Sequence, residues 1–304
     1  MPWQLLRLRI APAQAEEMEQ LLLDSGAVSV TLTDGEDQPV FQTEPGATPL
    51  WDSVLLCGMF TAEMDLQPLL SDLQNRLTDR GPNDSARQAI ELESLPDQDW
   101  EKTWMDRFHP LQFGSRLWIC PSWLTPPDPD AVNILLDPGL AFGTGTHPTT
   151  ALCLEWLEQQ NLRDKLVIDY GCGSGVLAIA AALLGAREVL AVDNDPQAIQ
   201  ASEANRAANG IRVAQLSCYL PEQFPLHSSS LPADLLIANI LAGPLEQLAP
   251  HFADLVRPGG HLVLSGILPE QCEPLQALYQ RWFDMSEPVE REQWTRLSGT
   301  RRYS

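Results

Sequence analysis

No apolar run in the 304-residue chain reaches the roughly 18 residues that a membrane-crossing helix needs. The start, MPWQLLRLRIAPAQAEEME, lacks the long apolar core of a secretory signal and turns acidic quickly. No two cysteines stand in a C-x-x-C pair. The six (Cys57, Cys120, Cys153, Cys172, Cys218 and Cys272) are scattered, and none sits beside a histidine at ligand spacing. Neither a zinc site nor a disulfide framework is legible, so free thiols in a reducing cytoplasm and no metal are expected. Basic residues are also scarce: 19 Lys plus Arg against 41 Asp plus Glu, a formal net charge of −22. A field of that sign repels free nucleic acid and attracts a basic protein. The imbalance is uneven. Residues 1–100 hold 5 Arg, no Lys and 18 acids (−13), and the other 204 residues hold 14 basic and 23 acidic (−9).

Hydrophobic residues make up 44% of the chain, enough for a sizeable core, and the length suits one large or two unequal domains. The first hundred residues read as a small unit. WQLLRLRI is strand-like, AQAEEMEQLLLDSG a helix with Met18, Leu21 and Leu22 on one face, and VSVTL a strand. After a polar Gly/Pro loop come the strand SVLLCGMF, the helix LQPLLSDLQNRLTDR and the strand AIELESL. The β-α-β-β-α-β order predicts a ferredoxin-like sandwich. DQDWEKTWMDRFHP then spaces Trp100, Trp104 and Phe108 at i, i+4 and i+8, one stripe of a connecting helix.

From residue 163 the grammar changes to strand, glycine turn, helix, strand. KLVIDYG, EVLAVD, RVAQLSC, ADLLIAN and HLVLSG are strands. SGVLAIAAALLG, PQAIQASEANRAANG, LAGPLEQLAPHFADLV and PEQCEPLQALYQ are helices. Apolar strands alternating with helices predict a parallel, doubly wound α/β sheet, whose ligand lies beyond the carboxyl ends of the strands.

Three strand ends are distinctive. Asp169-Tyr170-Gly171-Cys172-Gly173-Ser174-Gly175 is a glycine turn leading into a helix, whose amides would face a ligand. Asp193 ends the next strand, 18 residues after Gly175, where an acid accepts hydrogen bonds from ribose hydroxyls. Asn239 ends the strand ADLLIAN, where its amide either accepts from a substrate amine or caps the next helix. The spacing G-x-G-x-G differs from the dinucleotide pattern G-x-G-x-x-G, and no Gly-Lys-Ser/Thr follows as in a phosphate loop. S-adenosyl-L-methionine, which carries no phosphate, suits the turn, and Asp169 suits its positive charge. Upstream, DPGLAFGTGTHPTT is a Gly/Thr-rich loop in which Pro148 opens a helix. His147 reads as a helix-start histidine or, alternatively, as a general base.

DPGLAFGTGTHPTT, VIDYGCGSGVLAIAA, AVDNDPQAIQASEAN and ANILAGPL together resemble the ribosomal protein L-eleven methyltransferase family, PrmA. The similarity extends through WEKTWMDRFHP, RLWICPSW and LVLSGIL and covers roughly residues 96–300. It implies an S-adenosylmethionine-dependent methyltransferase (Rossmann-like) domain over 116–304, a linker helix over 96–115 and an N-terminal substrate-recognition α/β domain over 1–95. It implies methylation of lysine side chains and the N-terminal amine of a basic ribosomal protein by a cytoplasmic monomer. Thr146, Thr150, Gly171, Gly173, Asp193 and Asn239 are the expected cofactor-binding residues, and Asn239 is also the expected catalytic one. The alternatives are methylation of a glutamine or nucleobase amine, nicotinamide-dependent oxidation, and a non-catalytic ribosome-assembly factor. The first is disfavoured because Asn-Ile-Leu-Ala stands in place of Asn/Asp-Pro-Pro-Tyr.

Overall fold

The computed structural model describes residues 2–36, 51–78, 90–95, 108–137, 147–224 and 231–303. The chain divides into two compact units, Met1–Met105 and Asp106–Ser304.

The first unit contains β1 (Trp3–Ile10), α1 (Ala15–Asp24), β2 (Ser29–Asp34), β3 (Val54–Thr61), α2 (Gln67–Thr78) and β4 (Ile90–Leu95). The strands pair in the order β2-β3-β1-β4, all antiparallel, which is the layout expected of a ferredoxin-like sandwich. Period-two alternation explains its core. Leu6, Leu8 and Ile10 of β1 and Val54, Leu56 and Phe60 of β3 are buried with Met18 and Leu22 of α1 and Leu69 and Leu73 of α2.

The second unit opens with β5 (Leu111–Phe113), β6 (Leu117–Cys120) and β7 (Val132–Leu135), a three-stranded sheet. This corrects only the carboxyl-terminal part of the linker helix expected over 96–115. Residues 96–107, with Trp100 and Trp104, lie outside the described residues, but residues 111–113 are strand. The cause is non-local: Leu111 and Phe113 pair across a turn with Ile119 and Leu117 of β6.

There follow α3 (Pro148–Glu158), β8 (Leu166–Tyr170), α4 (Val176–Leu183), β9 (Glu188–Val192), α5 (Pro196–Ala208), β10 (Leu216–Tyr219), β11 (Ala233–Asn239), α6 (Ala242–Leu255), β12 (Val256–Ile267) and α7 (Pro269–Tyr279). The chain ends with β13 (Phe283–Met285), β14 (Val289–Arg291) and β15 (Trp294–Arg301). The large sheet runs β10-β9-β8-β11-β12-β15-β13, with β14 paired to β15. The first five strands are parallel, while β15 runs antiparallel to β12 and β13 antiparallel to β15.

Alternate residues of the parallel strands feed two cores. Val167, Val189 and Ile237 pack with Leu154, Leu157 and Ile179 of α3 and α4. Ile168, Leu190 and Leu236 pack with Leu245, Phe252 and Leu275 of α6 and α7. Covering both faces is what makes these strands continuous apolar runs. Strand order reverses between β8 and β11, and their carboxyl ends flank that switch point.

At the opposite end, Asp234 ties three strands together. Its carboxylate accepts from the Leu166 N–H (2.8 Å), Arg257 Nε (2.8 Å) and Lys165 Nζ (3.4 Å). Burial would raise its pKa. These donors outweigh that and hold it below the usual carboxylate value. The β14–β15 hairpin fixes α3: Arg291 Nη2 donates to both Glu155 oxygens (2.8 and 3.0 Å), and Arg296 Nη1 donates to the Leu152 carbonyl (3.3 Å). No helix among the described residues is long and apolar enough to cross a membrane.

Candidate functional site

The turn after β8 is held by its neighbours on the sheet. Gly171 and Cys172 N–H both donate to the Val192 carbonyl of β9, at 2.7 and 3.0 Å. Gly171 adopts φ +85°, and a Cβ there would collide with the Ile240 side chain. Only glycine lets the loop lie this close to the residue after Asn239. Gly175 has φ +80°, and a Cβ there would meet the Ser202 hydroxyl at 2.8 Å. That close approach brings α5 against the loop, where Ser202 Oγ donates to the Gly173 carbonyl (2.9 Å) and Asn205 Nδ2 to that of Ser174 (2.8 Å).

Asp193 follows β9. Its Oδ2 accepts from the Gly173 N–H (2.8 Å) and its Oδ1 from the Asp195 N–H (3.0 Å). These bonds pin the carboxylate at the glycine turn. Each oxygen spends one acceptor position on the backbone, so capacity remains for two further donors.

Asn239 ends β11. Its Nδ2 donates to Thr150 Oγ1 in the first turn of α3 (3.3 Å), and its Oδ1 is buried with no hydrogen-bond partner among the described residues. It does not cap α6, whose N-cap is Leu241. A buried, unpartnered amide oxygen is costly and calls for a donor.

The structure thus gathers Gly171, Gly173 and Asp193 at the ends of β8 and β9, and joins Asn239 to Thr150 at the end of β11. Thr146, with the loop residues 138–146, lies outside the described residues. His147 caps α3: its Nδ1 accepts from the Thr149 N–H (3.3 Å) and lies 2.7 Å from Thr149 Oγ1. Its ring packs edge-on to Trp294 at 4.9 Å. Burial holds its pKa below the usual histidine value, opposed by Glu292. These contacts suit a neutral helix-start histidine.

One expectation is corrected. Asp169 does not stand free to meet a cation. It is fully buried, and its Oδ2 accepts from the Ala178 N–H in the first turn of α4 (2.9 Å). Burial pushes its carboxyl up to about 7. The Ala178 bond opposes the rise, and the Asp193 charge adds to it. The residue points inward because its place on β8 belongs to a face covered by helices. Sequence reasoning missed Ser202 and Asn205. The signal was present: Ala198, Ser202 and Asn205 fall at i, i+4 and i+7, so two polar residues continue the buried stripe of α5.

The chain matches the family model described as ribosomal protein L11 methyltransferase (PrmA) over residues 2–302. A ribosomal protein L11 methyltransferase of Shewanella woodyi is 51% identical over 302 residues, 99% of this chain and 100% of that protein. One of Pseudomonas aeruginosa is 54% identical, covering 99% of each. Among solved structures, a ribosomal protein L11 methylase of Lactobacillus delbrueckii subsp. bulgaricus superposes with a TM-score of 0.57 at 35% identity, covering 64% of this chain and 100% of that one. Matched from end to end by the family model and more than half identical to these relatives over nearly its whole length, the chain belongs to the ribosomal protein L11 methyltransferase family.

Proposed function

We propose that this chain methylates ribosomal protein L11 on lysine side chains and on the N-terminal amine, at the carboxyl ends of β8, β9 and β11. Family membership makes it an S-adenosylmethionine-dependent methyltransferase. The observation that carries the amine reading is the buried Asn239 Oδ1, an acceptor with no donor among the described residues.

The residues fit the cofactor. Asp193 keeps acceptor capacity for two ribose hydroxyls while its backbone bonds hold it in place. Gly171 and Gly173 adopt positive φ, +85° and +55°, and carry no side chain at the turn. Thr150, and Thr146 from the preceding loop, complete that set. When bound, S-adenosyl-L-methionine supplies a methyl group on a positively charged sulfur, open to in-line attack by an amine.

The chain's task is to present that amine uncharged and aligned. A free lysine has a pKa near 10.4, so roughly 0.04% is uncharged at pH 7, a cost of roughly 4–5 kcal/mol. Asn239 suits the task because its oxygen is neutral. It accepts an amine N–H and aims the nitrogen lone pair, whereas a carboxylate would hold the ammonium form more strongly. His147 is engaged in capping α3, so the proton leaves through water.

The acidic N-terminal unit, within residues that carry −13 over positions 1–100, would attract a basic ribosomal protein and repel free nucleic acid. One chain holds the whole proposed site, so a cytoplasmic monomer suffices. Incubation with labelled S-adenosyl-L-methionine and purified L11, followed by mass spectrometry, tests the reading. Whole-methyl increments on lysines and the N-terminus are expected. Label confined to glutamine, to RNA or to nothing would overturn it.

A further inference from the structure

We infer that Gly266 of β12 is a positioning residue for methyl transfer: its bare Cα seats the Ile240 peptide and, through that peptide, places the Asn239 side chain. The inference rests on the proposed role of Asn239 and goes beyond it.

β12 lies beside β11, and Asn239, the last residue of β11, pairs with Ser265. One residue further on the two strands part. The chain leaves β11 through Ile240 and Leu241 into α6, whereas β12 runs on to Ile267. β12 is irregular at this point. Against β15, Leu264 pairs with Leu297 and Ile267 with Thr295, so β12 carries one residue more than its partner. A bulge of that kind bends a strand locally and re-aims what lies beside it. Gly266 sits in the bulge at φ +83°.

The bend turns Gly266 onto the backbone of Ile240. A Cβ at position 266 would collide with the Ile240 carbonyl oxygen and stand 2.9 Å from its carbonyl carbon and 3.2 Å from its amide nitrogen. All three are main-chain atoms, which cannot rotate aside as a side chain can. Gly171 closes the slot from β8, where a Cβ would meet the Ile240 side chain. The residue after Asn239 is therefore wedged between two strands, its backbone against β12 and its side chain against β8. Of the two glycines, only Gly266 stands apart from the cofactor turn, where Asp193 holds the Gly173 N–H. Gly259, near the start of β12, is a natural contrast. It has φ +74°, but a Cβ there would meet the Tyr303 side chain, which is 80% exposed.

The test compares three full-length variants with L11 as substrate, reading kcat, the dissociation constant for S-adenosyl-L-methionine and melting temperature. Gly266→Ala adds the Cβ. Gly266→Asn adds the same Cβ on a residue that tolerates a left-handed backbone. Both should lower kcat at least about tenfold, since a displacement of about 1 Å at a site can cost about a hundredfold. Cofactor affinity should stay within about threefold of wild type. Gly259→Ala imposes similar backbone strain at the other end of the strand and should keep kcat within about twofold. The inference is overturned if Gly266→Asn has wild-type kcat, if cofactor affinity falls as far as kcat, or if Gly259→Ala loses as much turnover as Gly266→Ala. It is overturned also if neither Gly266 variant folds, because the glycine is then a requirement of the fold. Failure of the wild-type enzyme to methylate L11 is a separate outcome, and it would sink the functional reading itself.

Discussion

Asp169→Asn should make the protein more stable at neutral and alkaline pH. The Asp169 carboxyl is fully buried, one of its oxygens has no partner among the described residues, and the Asp193 charge is near. Folding thus lifts its pKa from 3.8 to about 7. At 1.36 kcal/mol per pH unit that rise corresponds to about 4 kcal/mol, an upper bound on the cost of the ionised form in the folded state. The sign follows from linkage. A raised folded pKa means that the contribution is intact below pH 3.8 and is lost as pH climbs through about 7. Asparagine carries no charge, keeps an oxygen for the Ala178 N–H, and removes that penalty. Melting temperatures of wild type and Asp169→Asn, compared by calorimetry between pH 5 and pH 8, should diverge as pH rises. The variant should lead by on the order of 1–4 kcal/mol at pH 8. A variant less stable than wild type at pH 8, or a gap that does not move with pH, would refute the burial argument.

Two further predictions concern the ends of the sheet. Asp193→Ala should weaken S-adenosyl-L-methionine binding at least about tenfold in calorimetry, since bonds to a charged group contribute about 1.5–3 kcal/mol each. An unchanged dissociation constant removes Asp193 from the site. Asp234→Asn, at the far end, should cost about 1–3 kcal/mol of stability and leave cofactor affinity alone. Because the folded pKa of Asp234 is depressed, that loss should be full above pH 4 and shrink as pH falls below 3.8, which denaturant titrations at several pH values would read.

The parts of the fold legible in the sequence were those encoded locally. VIDYG, EVLAVD and ADLLIAN are apolar runs that end in glycine or a polar residue, so strands, their ends and the crevice beyond them could be read together. β1 and β3 declared their buried face by alternation. What escaped depends on partners distant in the chain. β5 is a strand only because β6 lies beside it, and nothing in Leu111–Phe113 announces that. The clamp of the β14–β15 hairpin on α3 relies on Arg291 meeting Glu155, 136 positions away. Asp169 looked like a ligand because it precedes the glycine turn. Its inward direction follows from the helix that covers its face of the sheet. The link between Asn239 and Thr150 was invisible for the same reason: each was singled out alone, and only folding brings their side chains together.

The proposal that this crevice aligns an amine for methylation is tested most directly by Asn239→Ala. Turnover on L11 and affinity for S-adenosyl-L-methionine should be measured on the same preparation. Loss of an interaction realised mainly in the transition state should lower kcat by about a hundredfold, with the cofactor dissociation constant changed by no more than about threefold. Wild-type turnover in Asn239→Ala, with or without a lower melting temperature, would contradict the assignment of the crevice.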